Sequence, residues 1–278
     1  MTWVATAQSD SFQFPRSVQA GSSFTVTTSG SGSATLYIAG LDGVVERRVQ
    51  LGEDISLGPD DLHNAGHYIA VLASGSNSQS AQFDVLAQSE AAKVSFLAKP
   101  SRVQVNLASG VSGVTYLFDA FRNLITKPQT VSFELSDSTG GKQSRTATSK
   151  DGVAWVRLNS AAKAGAATFQ ADAGPVEEKR IIQQVPGDPC TLRMSAHNGS
   201  TAQRIALETD PVHDCNGNPI PDGTVVSFTE TYAGTQTTVD VPLKRGVAKT
   251  ELPANKGAVI SVAAGVVLGN EIHWNGGL

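Results

Sequence analysis

The chain has 278 residues, 40% of them hydrophobic and 17% charged, with a formal net charge of −4. That length predicts two or three domains, and units of about 90 residues would each bury about two thirds of their unfolded surface, enough for separate cores. The charge balance leaves no basic footprint for nucleic acid, no apolar run is long enough to span a bilayer, and the opening MTWVATAQSDSF shows no export signal.

The first third of the chain reads as short strands. SFTVTTS (23–29) and ATLYIAG (34–40) are rich in Val, Thr and aromatic residues, with Asp42-Gly43 after the second as a hairpin turn. In DLHNAGHYIAVL (61–72), Asp61, Gly66 and Tyr68 stand in the order of a tyrosine corner, which predicts a phenol bonded to backbone a few residues upstream. His63 and His67 read as solvated turn residues, because a turn entering a strand brings no second pair of zinc ligands. Residues 10–88 are therefore expected to form one immunoglobulin-like (Ig-like) β-sandwich.

Further strands follow at AKVSFLA (92–98), RVQVNLA (102–108) and TVSFELS (130–136). Val103, Val105 and Leu107 are predicted to share one face, as are Val114, Tyr116 and Phe118. Only SAAKAGAA (160–167) suggests a helical turn. Trp155, in GVAWVRL, reads as an inward core ring, and EEKR (177–180) as a solvated strand edge of mixed charge. STGGK (138–142) lacks the first glycine of a P-loop and has Gln143 after its lysine.

A repeat links this segment to the last third. DAFRNLITKPQTVSFE (119–134) lies over DCNGNPIPDGTVVSFT (214–229) without a gap, placing Asp119 on Asp214, Asn123 on Asn218 and Phe133 on Phe228. KDGVAWVRL (150–158) matches KRGVAKTEL (244–252), and upstream KPSRVQVNLASG (99–110) parallels DPCTLRMSAHNG (188–199). Two copies of one module thus occupy 89–185 and 186–278, joined near QQVPGDP (183–189), where two prolines and a glycine end strand pairing.

DCNGNPIPDGTVVSF followed by GVAKTEL resembles the bacterial Ig-like modules of invasin and intimin type, through Asp214, Gly217, Asn218, Pro219, Gly223, Val225 and Phe228. The resemblance covers about 190–270 well and 92–180 less well, since Phe121, Arg122 and Leu124 replace the Asn, Gly and Pro. It implies extracellular spacers that hold an adhesive tip away from a cell. The predicted class is all-β: three tandem Ig-like β-sandwich domains, elongated. Joined end to end they would make a rod of about 100 Å or more.

The Asp–Asn element itself reads as a structural turn carried by Asp119, Asn123, Asp214, Gly217, Asn218, Pro219 and Gly223. Asp214 and Asn216 can bond their own backbone two residues on, and Gly217 accepts positive φ. A calcium loop counted from Asp214 would need Gly at its sixth position and an acidic residue at its twelfth; Pro219 and Val225 stand there. Cys190 aligns on Ser101 and Cys215 on Ala120, positions that mirror each other about the Gly110–Val111 turn, and the pair is expected to form a disulfide worth about 3 kcal/mol. The alternative is two buried free thiols in a reducing compartment.

No catalytic constellation is visible. A thiol held in a disulfide cannot serve His213 as a nucleophile, and no Gly-x-Ser-x-Gly elbow is present. Trp274 is the aromatic selected as a possible ligand contact. The expectation is a monomeric, non-enzymatic protein, extracellular or in the cell envelope, that uses no cofactor and meets a protein or glycan at the cell surface. The alternative is a carbohydrate-binding accessory region of a polysaccharide-active enzyme, with Tyr37 and Tyr68 as its aromatic candidates.

Overall fold

The structure, a computed structural model, describes residues 11–41 and 43–276. Asp42 of the predicted hairpin turn lies outside the described residues. Period-two alternation gives each strand one apolar face, as in Ala34, Leu36 and Ile38 or Val131, Phe133 and Leu135, and all six of these residues are buried.

In the first sandwich the strands are β1 (Ser11–Gln13), β2 (Ser17–Gln19), β3 (Phe24–Ser29), β4 (Ser33–Gly40), β5 (Gly43–Gln50), β6 (Ile55–Leu57), β7 (Gly66–Ser74) and β8 (Asn77–Leu86). The second has β9 (Lys93–Lys99), β10 (Arg102–Gln104), β11 (Val111–Phe118), β12 (Thr130–Ser136), β13 (Lys142–Thr148), β14 (Val153–Leu158), β15 (Gly165–Ala173) and β16 (Val176–Val185). The third has β17 (Pro189–Thr191), β18 (Met194–Asn198), β19 (Arg204–Thr209), β20 (His213–Asp214), β21 (Val225–Tyr232), β22 (Thr235–Pro242), β23 (Lys249–Pro253), β24 (Ala258–Ala264) and β25 (Val267–Trp274).

The first two share a plan of five strands against three: β2-β8-β7-β4-β5 with β1-β3-β6, and β10-β16-β15-β12-β13 with β14-β11-β9. In each, one short strand pairs in parallel with the last, β2 with β8 and β10 with β16. The third sets β22-β21-β24-β25 against β18-β19-β23, with β17 and β20 paired beside them. The chain is all-β, three Ig-like sandwiches in tandem, and no helix of the described residues is long and apolar enough to cross a membrane.

Each sandwich closes over its own core. Phe83, Leu36 and Ile38 anchor the first, Phe96, Phe133 and Phe169 the second, and Phe228, Ile205 and Ile260 the third. Fully burying one such side chain contributes about 1.5–3 kcal/mol. In the second core the Phe96 and Phe169 rings meet edge to face at 5.0 Å. Gly113 makes room for them, since a Cβ there would lie 2.8 Å from the Phe169 ring.

The repeat extends to the backbone. Lys150 bridges Val153 as Lys244 bridges Val247, and the intervening turns hold Asp151 and Arg245 at φ 50° and 54°. Upstream of residue 119 the correspondence shifts. Lys99 lies opposite Ser112 and Val94 opposite Leu117, so Ser101 and Ala120 do not face each other across a hairpin. The counterpart of Pro189–Asn198 is β9, not the segment 99–110, because both form the first strand beside the common turn. Among the described residues the third sandwich has no equivalent of β10, so an alignment carried upstream of the turn slips by a strand.

Other expectations also change. Strand β10 stops at Gln104, so Val103 and Val105 are buried while Leu107 is exposed. Val114, Tyr116 and Phe118 share a face, but it is the outer one; Val111, Thr115 and Leu117 fill the core. Residues 160–164 form an irregular loop before β15, with no helical turn. Trp155 is 63% exposed and points outward, because Ala154 and Val156 take the buried face of β14.

Candidate functional site: the joints between sandwiches

The turn after β20 is built around one buried carboxylate. Asp214 Oδ1 accepts the N–H groups of Asn216 (2.8 Å) and Asn218 (2.9 Å), the expected bonding of an Asp to the backbone just ahead of it. Oδ2 accepts Asn218 Nδ2 (2.8 Å) and the linker N–H of Gly187 (2.9 Å). Four N–H donors therefore surround the group, an environment for an anion rather than for a cation ligand. Burial opposes its ionisation, but the bonds from the Asn218 side chain and from the backbone of Asn218, Gly187 and Asn216 outweigh that and hold the Asp214 carboxyl below its ordinary value.

Asn218 then leaves its own sandwich. Its Nδ2 donates to Ala162 O and its Oδ1 accepts the Ala164 N–H, both at 2.9 Å and both in the loop 160–164 of the second sandwich. The second module repeats the set against the first. Asp119 Oδ1 accepts Phe121 N (2.9 Å) and Asn123 N (2.8 Å), and Oδ2 accepts Asn123 Nδ2 (2.9 Å) and linker Gln88 N (3.0 Å). Asn123 Nδ2 donates to His63 O and Oδ1 accepts Ala65 N, each at 2.7 Å. The element read as a turn is thus also a latch: Asp shapes it, and Asn fastens it to the preceding sandwich.

One of the positions that differ between the two copies, that of Phe121 and Asn216, touches the neighbour. Phe121 stacks on the His63 imidazole at 4.8 Å with 10° between planes, and it packs on Gly21, where a Cβ would lie 2.1 Å from the ring. His63 therefore belongs to the joint, not to a solvated turn. Asn216, at the position of Phe121, accepts Lys163 Nζ at its carbonyl (2.8 Å) and Asn106 Nδ2 at its side chain. Arg122 and Gly217 occupy one position with φ of 70° and 72°. Leu124 and Pro219 close equivalent bridges to Phe118 and His213, and Gly223, at φ 89°, turns the chain toward β21. Cys215 is bonded to Cys190 with Cα atoms 4.8 Å apart, tying the turn to β17, the first strand after the linker.

The receiving loops are held from behind. Tyr68 Oη donates to Asn64 O at 2.9 Å, between the two groups that Asn123 engages, and the ring passes over Gly40, where a Cβ would lie 2.1 Å away. Asp61 does not bond the phenol. It takes Arg47 Nη2 at 2.6 and 2.7 Å and the Gly58 N–H at 2.6 Å, fixing the start of the same loop before Gly66 opens β7. In the second sandwich buried Ser160 does the equivalent work, donating to Gln104 O (2.6 Å) and accepting Leu107 N (2.7 Å).

Elsewhere, Trp274 is 8% exposed and packs in the third core, so its ring is not available as a ligand contact. Tyr68 is also buried, leaving Tyr37 at the surface of the first sandwich. His67 pairs with Asp84 at 2.8 Å on the exposed face of β7 and β8, and the hydrogen bond that Asp84 accepts raises the imidazole pKa above its ordinary value.

No family model and no curated protein matches the sequence. Among solved structures, InvD of Yersinia pseudotuberculosis superposes with a TM-score of 0.58 at 14% identity, over 99% of this chain and 100% of that one. Invasin, a bacterial integrin-binding protein, superposes with a TM-score of 0.52 at 12% identity, over 94% of this chain and 57% of its own. At these identities the likeness establishes a shared fold, a series of Ig-like domains.

Proposed function

We propose that this chain is a non-catalytic spacer and binding module of a bacterial cell envelope or its exterior, built from units at 10–88, 89–185 and 186–278. The observation that carries this reading is the twice-repeated latch. Each joint joins linker, turn and receiving loop through buried or half-buried hydrogen bonds, so successive sandwiches are fixed in orientation rather than strung on a loose tether. A stiff series of small domains suits a stalk that holds a binding surface away from the cell, and likeness in fold to InvD and to integrin-binding invasin supports an adhesion-type role. The carbohydrate-binding alternative has less support, since one of its two tyrosines is buried.

Two measurements on the full chain test the reading. Small-angle scattering should give a rod of about 100 Å or more, and the Asn123→Ala/Asn218→Ala double variant should give a broader spread of dimensions. Antibody labelling of intact cells of the producing organism should detect the protein. A compact particle, or labelling that requires permeabilised cells, would contradict the proposal.

A further inference from the structure

The outer face of β14-β11-β9 in the second sandwich has an unusual composition. Trp155 lies opposite Val114, which lies opposite Leu97, giving one apolar row across three strands. Tyr116 and Val153 form the adjoining row. Trp155 is 63% and Leu97 51% exposed. Lys93 and Lys99 stand at the two ends of β9 and Arg157 near the end of β14, and no ion pair engages any of the three among the described residues. None of the outward positions of these strands carries a carboxylate, although the whole chain has a net charge of −4.

The sister module shows what this sheet looks like without such a task. Lys249 stands where the repeat places Trp155, and Glu251 where it places Arg157. There Lys249 pairs with Glu208 at 2.7 Å and Arg204 with Glu251 at 3.5 Å, so the face is polar and internally neutralised. The fold accepts that surface; the second sandwich instead displays an apolar centre with unpaired cations at its ends. A Trp–Tyr centre with an Arg beside it has the make-up of a protein-binding hot spot, and the two lysines stand where a polar, charged rim would lie. Leu97, Val114 and Val153 around the rings offer no hydrogen bonds to sugar hydroxyls, which disfavours a glycan.

We propose that this face docks a protein surface of complementary character, a cluster of apolar side chains ringed by Asp and Glu. The inference rests on the binding role proposed above and gives it a location. Phage-displayed random peptides selected on the immobilised full chain provide the probe. Peptides combining apolar residues with Asp or Glu should be enriched, and synthetic copies should bind Trp155→Lys about tenfold or more weakly. Their affinity should also fall as salt rises from about 0.1 M to about 1 M, where the screening length shrinks from about 10 Å to about 3 Å.

Trp155→Lys installs the residue that its sister position already carries, so its melting temperature should match that of the wild type; Leu97→Ser is a second variant on the same row. Failure to enrich any peptide, or peptides that bind both variants undiminished, would overturn the proposal. So would a glycan-array signal that disappears in Trp155→Lys while no peptide binds. Intact-cell labelling reports separately on the envelope reading: a surface protein whose ligands ignore Trp155 removes this face alone, whereas Trp155-dependent peptide binding by an internal protein removes the envelope reading alone.

Discussion

Arg122 and Gly217 are the same residue position solved in two ways. Both turns require a left-handed backbone there, with φ near 70°. Gly217 adopts it freely, whereas for Arg122 the Cβ approaches a carbonyl oxygen at a cost of about 1–2 kcal/mol. Glycine would in turn loosen the unfolded chain by about 0.4–1 kcal/mol. The strain is the larger quantity, and the exposed Arg122 side chain has no bond to lose among the described residues. Arg122→Gly should therefore raise the stability of the second sandwich by roughly 0.5–1 kcal/mol, measured as a higher denaturant midpoint; an unchanged or lower midpoint would show the turn to be unstrained.

Among the elements, the latch turn matters more than any single strand. Asn218 satisfies one donor and one acceptor of the preceding sandwich and supplies one of the two bonds to Asp214 Oδ2, so Asn218→Ala strands two main-chain partners and weakens the hold on a buried carboxylate. The expected loss is about 2 kcal/mol or more, seen as earlier unfolding of the third sandwich and faster amide exchange at Ala164. Asn218→Asp, nearly the same shape, should be at least as harmful, because it removes the Nδ2 donor and sets a second carboxylate against Asp214. Harmless substitutions at Asn218 would mean that the joint is held by packing instead.

Part of this element was legible in the sequence. The alignment of Asp119 with Asp214 and Asn123 with Asn218 located both turns, and the Asp-to-backbone bonds follow from local chemistry. That Asn reaches a neighbouring sandwich was not legible, because its partners are main-chain groups, which leave no mark on residue identity. A hint existed nonetheless: an Asx turn needs its first Asp, not an amide four residues later, yet both copies keep one. Phe121 and Asn216 looked like drift for the same reason, since each is matched to a different neighbour. The outward Trp155 and inward Trp274 were misread because alternation reveals that two faces exist, not which of them a bulky ring occupies. The Cys190–Cys215 bond was anticipated through a mistaken register and forms by a different route, with β17 passing beside the turn.

At the scale of the whole molecule, the two joints are alike in plan but not in chemistry. One is sealed by a ring stacked on an imidazole; in the other Asn216 takes Lys163 and Asn106, and the turn carries the lowered Asp214 carboxyl. The second is therefore expected to respond to acid. Because the folded Asp214 pKa is lowered, its contribution is present in full above the ordinary carboxylate value and is lost as pH falls through the folded value. Scattering on the full chain should show constant dimensions from neutral pH down to the ordinary carboxylate range and a broader distribution below it, reversed on neutralisation. Asp214→Asn should show the broader distribution at neutral pH and no further acid step attributable to this site.

The receiving loops offer the incoming asparagine only a carbonyl oxygen and an amide hydrogen, at His63 and Ala65 in one case and at Ala162 and Ala164 in the other. Neither group depends on which amino acid supplies it. A gene encoding such units could grow or shrink by whole copies through recombination, and each newcomer's asparagine would find a compatible seat, leaving only the flanking contacts, those of Phe121 or Asn216 here, to adapt.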